Sequence, residues 1–381
     1  MFIKRIVITL LILMLSLPFC TVPTKALAED ELTSPSAILI EPTTGKILFE
    51  KNAHEQRACA SITKVMTLLL VMEAIDEGKI SYDDVVTTSE HAKSMGGSDI
   101  WLEVGEQMTV HEMIKATAVA SANDAAVALA EHLCGTESEF VALMNERAKE
   151  LKMENTVFKN CNGLDEEGHL TTAYDVALMS AQLIKHEKIF DYTTIWIDTL
   201  RNGETQIVNT NKLLKSYDGI TGLKTGTTGD AGSCISATAT RNGISLVSVV
   251  LGSTTGTERF KDAATLLDFG FANYEVLQFL ASVLEKDSIE VKKGMSESVK
   301  IECKGSTNMV VEKGSSADIK HSVSLEESID APVQKGQKVG TLTYTLNDEK
   351  VAQFDVVTTD KVEQMTFSAV FCELMNALVA L

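Results

Sequence analysis

The chain has 381 residues, enough for two domains and a substantial core. Lys and Arg number 34 against 53 Asp and Glu, a formal charge of −19, which argues against nucleic acid or an anionic membrane surface as a bulk electrostatic partner. Lys4 and Arg5 precede an apolar run from Ile6 to Pro18, and Ala26-Leu27-Ala28 offers a small-x-small cleavage site. Residues 1–28 therefore read as a signal peptide, with export and Glu29 as the first mature residue. Phe19 before Cys20 argues against a lipoprotein signal. Six cysteines follow, at 59, 134, 161, 234, 303 and 372; their spacing matches no metal site and no disulfide scaffold, and Cys59 reads as packing.

Ala37–Ile40 and Lys46–Phe49 flank Pro42-Thr43-Thr44-Gly45, a β-hairpin pattern. A helix opens at Ser61 and stops near Gly78; Val65, Leu68, Leu69, Met72 and Ile75 form its apolar stripe. Thr109-Val110-His111-Glu112 is a capping-box start for a helix ending near Ala120. Asp124–His132 and Ser138–Leu151 read as two more helices, the latter with Ser138 as N-cap, and another runs from Thr171 to about Lys185. Gly219–Gly226 reads as a strand entering a glycine-rich turn. Ser233–Thr240 and Ile244–Leu251 are strands joined by Arg241-Asn242-Gly243, and Arg259–Phe271 is helical. Helices between strands suggest an α+β fold, an antiparallel sheet with a helical cluster, over residues 29–273. Short alternating segments over 274–360 read as a small all-β domain. Residues 361–381 end in a largely apolar stretch from Met365 that is short for a bilayer span and lacks Lys and Arg; it reads as a membrane-surface helix or one packed on protein.

Three motifs carry chemistry. Ser61-x-x-Lys64 is the sole S-x-x-K and Lys224-Thr225-Gly226 the sole K-T-G; Ser121-Ala122-Asn123, an S-x-N, lies between them. Ser61 and Lys64 share one face of a helix's first turn, where burial lowers the lysine pKa and lets a neutral amine take the serine proton. A lone S-x-x-K is more simply a Ser N-cap beside a surface lysine; the other two motifs, each in a setting that suits its chemistry, tip the balance.

With these motifs, Asn162-Gly163-Leu164-Asp165 and His169–Asp175, the chain from about Ser36 into the β segment resembles the serine D-alanyl-D-alanine carboxypeptidases, or low-molecular-mass penicillin-binding proteins. It departs from their pattern at Cys59, where proline is common, and at Ala122 of the S-x-N. The resemblance implies a β-lactamase/transpeptidase-like catalytic domain and no cofactor or metal. It implies removal of the terminal D-alanine from peptidoglycan pentapeptides at the extracytoplasmic cell wall, in wall biogenesis and cell shape, with β-lactams as covalent inhibitors. It makes Ser61 the nucleophile, Lys64 its base and Ser121 a proton relay, with Asn123 positioning Lys64 and the substrate amide. Lys224, Thr225, Gly226, Thr227 and Arg259 bind substrate: Lys224 and Arg259 face the terminal carboxylate, and the Ser61 and Thr227 N–H groups form the oxyanion hole. A D,D-endopeptidase or a non-turnover penicillin sensor would share the same pattern. A class A β-lactamase lacks support, because no E-x-x-L-N occurs. A zinc peptidase does too: the fourth residue after His111 is Lys115, so there is no H-E-x-x-H, and His111 reads as an ordinary surface or interface histidine. A G-x-S-x-G elbow is also absent.

Overall fold

The computed structural model describes residues 27–278, 283–284, 286–304, 308–346, 348–368 and 370–371. Residues 1–26, most of the stretch expected to be a signal peptide, Cys372 and most of the apolar C-terminal stretch lie outside them. Among the described residues no helix is long and apolar enough to cross a membrane.

The described chain divides into two compact units at Asn273/Tyr274. The first is built on a five-stranded antiparallel sheet of β1 (Ser36–Glu41), β2 (Lys46–Lys51), β7 (Ile220–Thr228), β8 (Gly232–Arg241) and β9 (Ile244–Ser253), in the order β2-β1-β9-β8-β7. β1 is buried along its whole length, which its uninterrupted Ala37-Ile38-Leu39-Ile40 run suits, because helices cover both faces of the sheet. Two small hydrogen bonds assign those faces. Ser236 on β8 meets Ser180 of helix α5 (Ala173–Leu183), Oγ to Oγ at 2.8 Å. Ser248 on β9, paired with Ala237, donates to the Ala263 carbonyl of helix α6 (Gly256–Asn273) at 3.4 Å. Neighbouring strand residues point to opposite faces, so α5 and α6 lie on opposite sides of the sheet. Lys224 pairs with Ser236 and therefore points toward the α5 side.

The α5 side carries the helical cluster: α1 (Lys64–Asp76), α2 (Val110–Lys115), α3 (Asn123–Cys134) and α4 (Glu137–Glu150). α1 is buried nearly all round, beyond the single stripe its sequence suggests, because α3, α4, α5 and the sheet surround it. Two-stranded ribbons of β3 (Val85–Thr87) with β4 (Gln107–Thr109) and β5 (Ile197–Leu200) with β6 (Thr205–Val208) flank the cluster.

Several boundaries differ from expectation. Ser61 does not open the α-helix; it lies in a 3-10 turn, Ala60–Thr63, that runs into α1. Thr109 caps α2 with a complete capping box, but beyond Lys115 the chain widens into a π-helix, Ala116–Ala120. Thr136, and not Ser138, caps α4: its Oγ1 accepts the Glu139 N–H at 3.2 Å. The K-T-G lies inside β7 and ahead of the glycine turn.

The second unit begins with β10 (Tyr274–Gln278) and continues with β11 (Ser288–Lys292), β12 (Ser298–Cys303), β13 (Asn308–Glu312), β14 (Ile319–Leu325), β15 (Ser328–Asp330), β16 (Lys338–Leu346) and β17 (Glu349–Thr358). Six of these form a sheet ordered β14-β16-β17-β12-β11-β15, antiparallel except for β11 with β15; β10 pairs with β13. Val339, Leu342, Tyr344 and Val356 anchor its core.

Candidate active site

A 3-10 turn has three residues per revolution, so side chains three apart eclipse. That brings Lys64 Nζ to 3.0 Å from Ser61 Oγ. Two more acceptors surround the amine: Asn123 Oδ1 at 2.5 Å and the Asn162 carbonyl at 2.6 Å. The Lys64 side chain is completely buried. Burial lowers its pKa from the usual lysine value to about 7, against the smaller opposing pull of Cys161, Asp99 and Asp124. Near neutral pH a substantial fraction of Lys64 is thus a free amine beside the Ser61 hydroxyl.

The turn is held in place from both sides by residues that lack side chains. Ala60 takes a left-handed conformation (φ 51°), and Gly163 packs so closely beneath it that a Cβ there would stand 1.9 Å from the Ala60 carbonyl oxygen. On the other side β7 approaches through Gly226, whose Cβ would lie 2.8 Å from the Ser61 nitrogen. Cys59 is buried against this turn, its Sγ 3.4 Å from Thr63 Oγ1, and burial pushes its thiol up to about 12, which keeps it a packing group.

Ser121 closes the π-helix in a left-handed conformation (φ 62°). A non-glycine residue held there stores local strain, which concentrates at functional sites. The strain turns its hydroxyl toward Lys224, whose Nζ donates to Ser121 Oγ at 2.7 Å. Lys64 reaches Ser61 and Asn123 instead, so in the free site the Ser121 hydroxyl is engaged by Lys224. Asn123 donates through Nδ2 to the Gly96 carbonyl and through its backbone N–H to the Ser98 carbonyl, each at 2.6 Å. Asp124, next in the chain, accepts from the Ile100 and Leu102 N–H groups. The 96–102 loop and the S-x-N corner are therefore bolted together.

Lys224 is also buried, and its Nζ donates to the Thr225 carbonyl at 3.0 Å. Its pKa lies well below the ordinary lysine value, first through burial and then through repulsion from Lys64 and Arg259. A carboxylate arriving from solvent would relieve that repulsion and favour the ammonium. Thr225 Oγ1 donates to Thr210 Oγ1 at 2.6 Å. Arg259 is only 9 % exposed. Its Nη1 donates to the Gly226 carbonyl and to Thr227 Oγ1, each at 2.8 Å, and its buried Nε has no partner among the described contacts. β7 is the edge strand of its sheet, so one row of its backbone groups is turned away from β8.

All nine residues singled out from the motifs and the resemblance thus converge on one locus, linked by hydrogen bonds or direct packing. Sequence reasoning did not assign roles to Asn162, Asp124 or Thr210. Asn162 acts through its carbonyl, which no side-chain motif announces, although its Asn-Gly-Leu-Asp string had marked the loop. His111 bonds Tyr192 at 2.8 Å and stays exposed.

A family profile described as D-alanyl-D-alanine carboxypeptidase matches residues 23–255, and one described as the C-terminal domain of penicillin-binding protein 5 matches residues 280–364. The D-alanyl-D-alanine carboxypeptidase DacF of Bacillus subtilis is 43% identical over 375 residues, 96% of each chain. DacC of Escherichia coli is 33% identical, over 92% of this chain and 90% of its own. Penicillin-binding protein 5 of Haemophilus influenzae superposes with a TM-score of 0.78 at 30% identity, covering 89% of this chain and 100% of that one. The ampicillin-bound penicillin-binding protein D2 of Listeria monocytogenes is 34% identical, with a TM-score of 0.58 over 63% of this chain and 98% of its own. With its S-x-x-K, S-x-N and K-T-G residues gathered into one buried cluster and with likeness along nearly its whole length, the chain belongs to the family of D-alanyl-D-alanine carboxypeptidases, serine hydrolases of the low-molecular-mass penicillin-binding proteins.

Proposed function

We propose that Ser61 removes the terminal D-alanine from peptidoglycan stem peptides ending in D-Ala-D-Ala, through an acyl-enzyme, and that β-lactams acylate the same oxygen. The observation that carries this reading is the Ser61–Lys64 contact at 3.0 Å, made by an amine that burial tunes to about 7. Ser61 Oγ attacks the penultimate D-alanine carbonyl while its proton passes to neutral Lys64 Nζ. The oxyanion is held by the N–H groups of Ser61 and Thr227. As the C–N bond breaks, the departing D-alanine nitrogen takes a proton through Ser121, which draws on Lys64 once the substrate carboxylate engages Lys224. Water then attacks the ester, gives its proton to Lys64, and the Ser61 oxygen leaves with a proton restored. Asn123 orients Lys64, and Lys224, Thr225 and Arg259 present positive charge and donors to the terminal carboxylate.

The same reading places the protein outside the cytoplasm, exported by residues 1–28 and facing the cell wall. Residues 29–273 are then the catalytic domain, 274–360 a β-rich domain, and 361–381 an apolar segment for the membrane surface or for packing on protein. Incubating the purified protein with a labelled penicillin and, separately, with a diacyl-D-Ala-D-Ala peptide tests the chemistry. One label should appear on Ser61 and vanish in Ser61→Ala, and D-alanine should be released. Labelling that survives the substitution refutes the nucleophile, and labelling without D-alanine release favours a sensor or an endopeptidase over the carboxypeptidase.

A further inference from the structure

One contact in the cleft has no part in the reaction as derived above: the 2.6 Å hydrogen bond from Thr225 Oγ1 to Thr210 Oγ1. Thr210 stands on a three-residue connection that is unusually well fixed. On one side, Asn209 is 4 % exposed; its N–H donates to the Trp196 carbonyl and its Nδ2 to the Ile195 carbonyl, both at 2.8 Å. On the other, Asn211 is 1 % exposed; its Oδ1 accepts from the Leu213 N–H at 3.1 Å, and its Nδ2 donates at 3.3 Å to the Gly222 carbonyl of β7. Asn209 Oδ1 also accepts the Asn211 N–H at 2.8 Å. The two asparagines therefore pin the backbone on both sides of Thr210 and leave its half-buried hydroxyl fixed beside the K-T-G.

A threonine hydroxyl has one proton and two acceptor lone pairs. Two hydroxyls joined by one hydrogen bond hold two protons and spend one of them. With Thr225 donating to Thr210, the proton of Thr210 has no acceptor among the described residues; with the bond reversed, the unspent proton belongs to Thr225. Either way the pair presents one O–H, and it does so next to the buried Lys224 amine, whose repulsion from Lys64 and Arg259 an anion would relieve.

We propose that Thr210 is a specificity-determining residue: its hydroxyl, paired with that of Thr225, donates to the free terminal carboxylate of the substrate and helps the site select a chain that ends there. This rests on the carboxypeptidase reading of the cleft. A charged acceptor makes the stronger hydrogen bond, so a carboxylate gains more from the unspent proton than its neutral ester does. A merely structural Thr210, stitching its connection to β7, would serve both alike.

The test compares two thioesters of one acyl-D-alanine, reactive enough to turn over without help from the carboxylate. In one the leaving thiol ends in a free carboxylate; in the other that carboxylate is a methyl ester. The quantity read is the ratio of their kcat/KM values in wild type, Thr210→Val, Thr210→Ala and Thr210→Ser. Valine keeps the shape, alanine guards against a steric fault of valine, and serine restores the hydroxyl. Losing one hydrogen bond to a charged group predicts a fall of about 10-fold in the ratio for valine and alanine, carried mainly by KM, with serine within about 2-fold of wild type. An equal loss on both thioesters, or an unchanged ratio, overturns the proposal. Wild-type protein that hydrolyses neither thioester fails at the carboxypeptidase reading itself, a result separate from any change in the ratio.

Discussion

Replacing Asn123 by aspartate tests Lys64 as the base without changing the size of the side chain. In the wild type the Asn123 carbonyl oxygen lies 2.5 Å from Lys64 Nζ, and burial holds that amine near 7. The aspartate would bring a negative charge to the same place. An opposite charge that close favours the ammonium and raises a pKa by about 1–3 units. At pH 7 the neutral fraction of Lys64 then falls from about a half to between about one in ten and one in a thousand. Acylation slows by about 5- to 500-fold at that pH and recovers as the pH rises. The lost Nδ2 donor to the Gly96 carbonyl also costs rate, but that loss lowers the plateau and leaves the midpoint alone. The assay is the second-order rate constant for acylation by a chromogenic cephalosporin between pH 5 and pH 10. Wild type should rise through an apparent pKa of about 7 and Asn123→Asp through a higher one. A variant that keeps its midpoint near 7 and loses only amplitude would refute Lys64 as the group that deprotonates Ser61.

Two further substitutions probe the frame around the turn. Gly163→Ala sets a Cβ 1.9 Å from the Ala60 carbonyl oxygen, at a φ of +86° that alanine also resists. Acylation should fall by at least about 100-fold with a clear loss of Tm, and near-normal labelling would show that the turn tolerates displacement. His169 is 4 % exposed, accepts the Lys159 N–H at Nδ1, and meets Thr63 Oγ1 through Nε2 at 2.8 Å, so it is held neutral. Burial lowers its pKa from 6.5 to about 4. The folded pKa lies below the unfolded one, so its share of stability is whole above pH 6.5 and is lost as the pH falls toward 4, by about 3 kcal/mol at most. Thermal melts of His169→Gln should lose this slope between pH 6.5 and 4, and an unchanged slope assigns it to other groups.

The parts of the site that were legible in the sequence are those in which side chains meet along one element or within one motif. Ser61 and Lys64 are three apart, which places them together in an α-turn and even more closely in the 3-10 turn that forms. Lys224 and Gly226 share a strand, and their alternation dictates that both face one side. What was hidden depends on backbone and on distance along the chain. Asn162 contributes a carbonyl that every residue type possesses. Thr210 reaches Thr225 only because two buried asparagines fold their connection against β7. The π-helix over Ala116–Ala120 follows a strong capping box and has no breaker before it; it ends on Ser121, whose hydroxyl meets Lys224, a contact distant in the chain. The choice of Thr136 over Ser138 was open to reading, since Thr136 directly follows the Gly135 that ends the preceding helix and puts Glu137 and Glu139 in the first turn.

The two buried lysines have a consequence for the molecule as a whole. Lys64 and Lys224 are each held by neutral oxygens, with no carboxylate among their hydrogen-bond partners in the described residues, and Arg259 adds to the repulsion on Lys224. A domain selected for stability alone would fill such space with leucine or methionine. Burying these cations costs the fold stability, and an incoming carboxylate supplies a counter-charge that their direct hydrogen-bond partners do not. Part of what a substrate or a penicillin gains on binding is relief of a tension maintained by the free enzyme, and that tension is what keeps one of its lysines close enough to neutrality to act as a base.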